Sequence, residues 1–136
     1  MAYLVYADIT DRVARSFDEE IVTSYFTEVD NEINDISEQQ GIYSTSEIDT
    51  DYKGTGRIHY KLIRFGIAYL CYRLFIDRAG VNDNDTDPSL EKYYVKANYY
   101  NNEQNKLRGQ ITKEMFTDAV NTSSDRTAYS AVMIRS

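Results

Sequence analysis

The chain has 136 residues, 42% hydrophobic and 27% charged, and its single cysteine excludes an internal disulfide. A net charge of −7 disfavours a protein that grips nucleic acid through a positive surface. The most apolar stretch, Ile67 to Ile76, is too short to span a bilayer, and the first residues lack the pattern of a signal peptide. We therefore expect one globular domain that is made in a cytosol.

Charge is divided unevenly along the sequence. Residues 1–51 hold 13 acidic and 2 basic residues, a net charge of −11, whereas residues 52–136 hold 9 acidic and 13 basic residues, a net charge of +4. Two interpretations stay open. Either the acidic flank of one copy meets the basic flank of the next, or the two halves pair within one chain.

The first two helical patterns lie before residue 41. Asp8 is a candidate cap for a short helix that ends at about Arg15, with three apolar residues on one face: Ile9, Val13 and Phe17. Ser16 or Asp18 then caps a longer amphipathic helix that is predicted to run to about Gln40. The polar side of this second helix carries an acidic stripe: Glu28, Glu32 and Asp35.

Glycines mark the boundaries that follow. Gly41 is predicted to end the second helix in a left-handed conformation, and residues 42–56 are typical of a loop. A third helix is expected from Arg57 to Ala79, with Gly80 as its stop. Its apolar residues cover most of the circumference, which predicts a central, buried helix. Gly66 within it indicates close approach of another helix. The first half also carries a basic stripe: Arg57, Lys61 and Arg64.

The fourth pattern begins at Asp87-Pro88, a cap followed by proline at the first helical position. Its apolar stripe is weaker and rich in tyrosine, which predicts that the helix gains much of its stability from packing, with a neighbouring subunit as one candidate for the contact. We expect residues 1–110 to form a helical domain and residues 111–136 an extended C-terminal arm. The arm either pairs with another chain, folds back on its own domain or stays unfolded. The candidate contacts with a partner are Tyr93, Tyr100, Tyr129, Val132 and Ile134.

The sequence carries no recognisable catalytic or metal-binding motif. The lone His59 and the lone Cys71 cannot form a zinc cluster, and no Gly-x-Ser-x-Gly or phosphate-binding loop occurs. The run 83–87 imitates the start of a calcium loop, but Pro88 replaces the required glycine and Tyr94 the final glutamate. We therefore expect no enzymatic activity, no metal and no cofactor.

Three phrases in this order give the chain a family resemblance. They are Tyr6-Ala7-Asp8-Ile9-Thr10-Asp11-Arg12-Val13, Phe17-Asp18-Glu19-Glu20-Ile21 and Ala68-Tyr69-Leu70-Cys71-Tyr72-Arg73-Leu74-Phe75. Together with the chain length, the acidic second helix, the buried third helix and the C-terminal arm, they resemble the head–tail connector (adaptor, or head completion) proteins of tailed bacteriophages.

The resemblance implies a mainly α, four-helix bundle-like connector fold with an extended C-terminal arm. It also implies a structural virion protein, a subunit of a ring, expected to be a 12-mer, that docks under the portal. Such a ring joins the capsid to the tail, or to a stopper or nozzle protein, and the genome passes through it with transient, non-specific contact. The protein would be made in the host bacterial cytoplasm and reside at the head–tail junction, away from any membrane.

The two stripes acquire roles within such a ring. The acidic stripe (Glu28, Glu32 and Asp35) would face either the channel, where carboxylates repel phosphates, or the basic stripe (Arg57, Lys61 and Arg64) of the next subunit. A small helical phage or bacterial module that binds or regulates another protein is the alternative, and it predicts a monomer or dimer indifferent to a portal. An enzyme subunit of unknown chemistry is a second rival, and it predicts a pocket with convergent polar groups.

Overall fold

The computed structural model describes residues 2–42, 47–80 and 88–117, and this part of the chain is mainly α-helical, as predicted. It contains four α-helices: α1 (Glu19–Thr23), α2 (Phe26–Gln39), α3 (Tyr60–Gly80) and α4 (Pro88–Arg108). Four short 3-10 helices accompany them: Tyr6–Asp8, Ala14–Ser16, Tyr52–Gly54 and Lys113–Met115. No strand occurs within these ranges.

Helix α3 forms the centre of the core, as its apolar circumference predicts. Nine of its residues are buried: Leu62, Phe65, Gly66, Ala68, Leu70, Cys71, Leu74, Phe75 and Ala79. Helix α4 is its main partner, and α2 packs against it through Val29, Ile33 and Ile36. Because α3 is covered from several sides, apolar residues on most of its surface leave water and stabilise the fold.

The single short helix predicted after Asp8 is wrong, because two 3-10 turns stand in its place. The carboxylate of Asp8 accepts a hydrogen bond from the backbone N–H of Val5 at 2.8 Å, so it closes the turn that it ends. The carboxylate of Asp11 accepts the N–H groups of Val13 and Ala14, at 2.9 and 3.0 Å, and starts a second turn. Two aspartates three residues apart therefore organise two separate turns.

The long second helix is also divided, into α1 and α2. At the break, the N–H of Tyr25 bonds to the carbonyl of Val22, three residues back, at 3.2 Å. The hydroxyl of Ser24 donates to the carbonyl of Ile21 at 2.5 Å, and such side-chain bonds compete with helical ones. The predicted end at Gly41 is confirmed, since Gly41 has φ +90°.

The third helix begins later than predicted. The carbonyl of Arg57 accepts the N–H of Tyr52 at 2.9 Å, which ties this residue to the preceding loop. His59 acts as the cap instead: its Nδ1 accepts the N–H of Lys61 at 3.0 Å, and its carbonyl accepts the N–H of Leu62 at 3.0 Å. The imidazole must therefore be neutral at Nδ1 for the first turn of α3 to be capped.

Acid is expected to weaken this cap. Burial lowers the pKa of His59 from its ordinary value of 6.5, and the ammonium groups of Lys61 and Lys53 lower it further. Below about pH 6.5, His59 binds a proton more readily in the unfolded chain than in the folded chain. The free energy of unfolding therefore decreases as the pH falls from about 6.5 towards the pKa of His59 in the folded chain. Because His59 is the only histidine, NMR titration of its ring should give a midpoint below 6.5.

The variant His59→Asn separates this effect from the titration of carboxylates. Asparagine caps helices but does not ionise, so the loss of unfolding free energy between about pH 7.5 and 5.5 should become smaller in the variant. A ring midpoint above 6.5, or an unchanged pH dependence in His59→Asn, would contradict the assignment of His59 as a cap.

Another helix, α2, approaches α3 closely at Gly66, as predicted. A side chain of the N-terminal segment, Leu4, approaches Gly66 as well. A Cβ atom added at Gly66 would lie 3.0 Å from Cγ1 of Val29 and 3.3 Å from Cδ2 of Leu4. Both side chains are fully buried or nearly so, and the β-branched valine has little rotamer freedom. The glycine therefore lets α2 and the N-terminal segment reach the middle of α3.

We expect Gly66→Ala to lower the free energy of unfolding by about 1–2 kcal/mol, because overpacking outweighs the gain in helix propensity. Gly80→Ala is the matched control, since nothing lies within 4 Å of a Cβ atom at this end of α3. It should leave stability unchanged or raise it by up to about 1 kcal/mol. Urea titration of both variants tests the difference, and equal effects would contradict it.

The described core does not end with α4. Ile111 is 5% exposed and Phe116 is fully buried, and both belong to the same apolar cluster as the helices. The carbonyl of Phe116 accepts the N–H of Asp49 at 2.7 Å. Residues 111–117, the beginning of the segment expected to form an arm, thus pack on the helical body, while residues 118–136 lie outside the described part.

Candidate protein-interaction surface

Helix α4 contacts the body through an inner face that is largely polar and aromatic. Within residues 91–108 of α4, the buried residues are Ala97, Gln104 and Leu107. The ring of Phe75 on α3 stacks against Tyr93 and Tyr100, with centroids 6.1 and 6.0 Å apart. Charged contacts from the first third of the chain add to these rings, so the helix is fixed without a broad apolar stripe.

Asp11 makes the densest of these contacts. Besides the two N–H groups of its own turn, it accepts hydrogen bonds from Nζ of Lys96 at 2.9 Å and from the hydroxyl of Tyr100 at 2.6 Å. Its side chain is 8% exposed. Burial by itself raises the pKa of Asp11, but the bonds from Lys96, Tyr100 and Ala14 outweigh burial and hold the pKa below its usual range.

The far end of α4 is held in the same way. Arg108 donates to Oε1 of Glu32 on α2 at 2.8 Å, and its guanidinium lies 4.9 Å from the ring centroid of Phe65. Gln104, which is buried, accepts a further hydrogen bond from Arg108 at 3.2 Å and donates to Asn101. Anchors in the middle of α4, at Lys96 and Tyr100, and at its C-terminal end, at Arg108, therefore hold one face of the helix against the body and turn its other face outward.

That outer face carries an exposed apolar patch, hereafter the α4 patch, formed by Tyr94 (46% exposed), Val95 (62%) and Tyr99 (58%). Within the described ranges, the other exposed large apolar residues stand on other elements: Val5, Ile21 and Tyr60. Single exposed apolar residues are ordinary on a protein surface, but a group on one anchored helix is typical of a contact site. Three exposed asparagines accompany the patch along α4: Asn98, Asn102 and Asn105.

Two of the candidate contact residues on α4 have partners within the chain. Tyr93 is half-buried and packs against Phe17 and Phe75, and Tyr100 is half-buried against Phe75 and bonded to Asp11. The other three candidate contact residues, Tyr129, Val132 and Ile134, lie outside the described residues.

Tyr94 and Tyr99, the exposed tyrosines of the α4 patch, were not among the candidates. The helical repeat assigns them to the outer face only once the inner face is known.

The acidic stripe lies on one side of α2, but its members differ in their surroundings. Glu28 pairs with Arg73, with Nε and Oε2 2.7 Å apart, and also accepts the hydroxyl of Tyr69 at 3.0 Å. Glu32 pairs with Arg108. Asp35 is exposed and, in the part of the chain that the structure describes, forms no ion pair.

The basic stripe is similarly divided. Arg57 donates hydrogen bonds from Nη1 and Nη2 to the carboxylate of Asp8, and Nη2 also donates to the carbonyl of Tyr3. Lys61 is half-buried and Arg64 is exposed, and neither forms an ion pair with a described residue. Among the described residues, no ion pair joins the acidic stripe to the basic stripe.

The charge asymmetry of the sequence has a counterpart in these pairs. Four ion pairs join an acid from residues 1–51 to a base from residues 52–136, and they are Asp8–Arg57, Asp11–Lys96, Glu28–Arg73 and Glu32–Arg108. The two halves of the chain therefore pair with each other inside one molecule. This is the second of the two interpretations left open by the sequence.

The single cysteine is enclosed in the core. Cys71 is fully buried, and burial raises the pKa of its thiol to about 12, so it is a poor nucleophile at neutral pH. Among residues 2–42, 47–80 and 88–117, no group of three or more His, Cys, Asp or Glu side chains could hold a metal ion. None of the described helices combines the length and the apolarity needed to cross a membrane.

Comparison with known proteins adds no relative. No family model matches the chain, and neither a curated protein nor a solved structure is similar to it.

Proposed function

We propose that the chain is a structural virion protein, a head–tail connector subunit that docks under the portal and joins the capsid to the tail. The observation that carries this proposal is the α4 patch, an apolar and aromatic surface on a firmly anchored helix. Exposed aromatic side chains accompanied by amide side chains are typical of protein–protein contacts. The aromatic side chains exclude water at the centre of the contact, and the amides tolerate water at its rim.

The anchoring of α4 supports an assembly role. A helix held in its middle by Asp11 and at its C-terminal end by Glu32 loses little further freedom when its outer face meets a partner, so more of the contact energy remains for binding. In the proposed ring, expected to contain twelve copies, α1–α4 form a bundle-like body, and residues 118–136 reach the portal or a neighbour. The partners are the portal and a tail, stopper or nozzle protein.

The acidic residues of α2 contribute to the proposed channel. Glu28 and Glu32 are largely neutralised by arginines of the same chain, which leaves Asp35 as the member of the stripe with an uncompensated charge. An uncompensated carboxylate repels phosphates, which suits a channel through which the genome slides with transient, non-specific contact. Alternatively, Asp35 meets Arg64 of the next subunit, whose guanidinium is exposed.

The proposal is tested by measuring the size of the protein alone and after mixing with portal rings of the virus that encodes it. Analytical ultracentrifugation should show a ring bound to the portal in the mixture, even if the protein alone stays a monomer. A monomer or dimer that never binds the portal would overturn the proposal and favour a small regulatory module instead.

Two tyrosines of nearly equal exposure allow a matched comparison. Tyr99→Asp places a charge in the α4 patch, whereas Tyr60→Asp does so at the start of α3, where Tyr60 is 60% exposed. We expect Tyr99→Asp to weaken portal binding by about tenfold or more, as for the central residue of an interface, and Tyr60→Asp to have little effect. Equal binding by both variants would show that the α4 patch is not the contact.

A further inference from the structure

A groove of about 350 Å³ lies beside the N-terminal segment, on a part of the molecule that the proposed function does not use. Residues on both sides line it, among them Tyr3, Val5, Thr50, Arg57 and Ile58. This volume is near the small end of the range of about 300–1,000 Å³ for pockets that enclose a ligand, so a few side chains would fill it.

The groove is apolar and close to neutral. Among the described residues that line it, only Arg57 is charged, and Asp8 compensates this charge, with Nη1 and Oδ1 2.8 Å apart. Val5 contributes an aliphatic side chain that is 50% exposed, although its backbone is fixed by Asp8. An uncharged apolar segment fits such a surface better than a charged one, because no buried charge would be left without a partner.

The chain itself supplies such a segment at the right place. The N–H of Asp49 bonds to the carbonyl of Phe116 at 2.7 Å, so the chain leaves the described fold next to Asp49. Thr50, the following residue, lines the groove. The exit of the C-terminal segment is therefore beside the groove.

The composition and length of residues 118–136 complete the argument. This segment has two acidic and two basic residues, a net charge of zero, and its apolar residues concentrate near its end: Tyr129, Val132, Met133 and Ile134. The twelve steps from Thr117 to Tyr129 can span up to about 40 Å when extended, far more than the short distance from exit to groove requires. A tethered segment also has a high effective concentration at a neighbouring site.

We propose that residues 128–134 bind in the groove of their own chain when the subunit is free. Their apolar side chains cover Val5, which is 50% exposed, beside the buried Ile58, so apolar surface of Val5 and of the segment leaves water. The inference concerns the isolated chain and does not depend on the proposed function. In a connector, the segment would stay bound to its own subunit until a partner protein displaces it from the groove and binds it.

Disulfide trapping in the full-length protein tests the contact. Val5→Cys combined with Val132→Cys places one thiol in the groove and one in the segment, and the native Cys71 is buried and does not compete. The control pair is Val95→Cys with Val132→Cys. Val95, on α4, is 62% exposed, against 50% for Val5, so its cysteine is at least as accessible. We expect the groove pair to form an intrachain disulfide about tenfold faster than the control pair.

Each outcome decides the matter. Equal rates for the two pairs would overturn the proposal, and a disulfide-linked dimer as the main product would show that a second copy occupies the groove.

Tryptophan fluorescence provides a second test that needs no cysteine, because the chain has no tryptophan of its own. Val132→Trp should give blue-shifted emission that moves to the red when Val5→Asp is added, whereas an unshifted emission in both proteins would also overturn the proposal.

Discussion

Asp11→Ala is expected to lower the free energy of unfolding by about 3 kcal/mol, as for a buried charge pair from which one partner is removed. The carboxylate serves four donors at once: the N–H groups of Val13 and Ala14, the ammonium of Lys96 and the hydroxyl of Tyr100. Without it, the buried donors lose their acceptor. The ammonium of Lys96, whose side chain is 31% exposed, can still reach water, so the low end of the usual range applies.

Asp35→Ala is the matched control for this prediction, because it removes an exposed aspartate that forms no ion pair among the described residues. Its effect should stay within about 0.5 kcal/mol. Urea unfolding followed by circular dichroism measures both variants. A loss below about 1 kcal/mol for Asp11→Ala would mean that the contact between the N-terminal turns and α4 contributes little.

Phe116→Ala should cost about 4 kcal/mol, a value typical of a phenylalanine removed from a closed core. Its ring is fully buried among residues of the main cluster, although it follows the last α-helix. The hydrogen bond from Asp49 reaches the backbone carbonyl and survives the substitution, so the loss reports packing alone. Unfolding should remain a single transition, since residues 111–117 share the core of the helices.

Lys113→Ala provides the comparison within the same segment. Lys113 is exposed and lies in the 3-10 turn just before Phe116, so its truncation should change stability by no more than about 0.5 kcal/mol. Thermal and urea unfolding measure the pair. Similar small effects of both substitutions would indicate that the segment 111–117 is separable from the helical body.

Local signals predicted the parts of the fold that depend on neighbouring residues. The all-round apolarity of α3, the left-handed Gly41 and the proline at the start of α4 each act within a few residues, and the structure agrees with all three. The break between α1 and α2 was missed, because Ser24 and Tyr25 are compatible with a continuous helix. The bond from the hydroxyl of Tyr25 to Asp77 at 2.8 Å, which accompanies the break, joins residues 52 positions apart.

The orientation of α4 could not be predicted for a related reason. Its sequence offers apolar and aromatic residues on several sides, so periodicity alone does not choose the inner face. The choice is made by acids far away in the chain, since Asp11 bonds to Tyr100 and Glu32 to Arg108. Only when these partners are known does it follow that Tyr94 and Tyr99 point away from the body.

The attachment of Asp11 to α4 has a consequence for how the protein matures at the ribosome. The carboxylate is made among the first residues, yet two of its four donors lie 85 and 89 positions later. The N-terminal turns therefore cannot reach their final contacts until Lys96 and Tyr100 have been synthesised and have left the ribosomal tunnel. The N-terminal turns and α4 therefore gain their mutual contacts in one step, which comes late in the folding of the helical body.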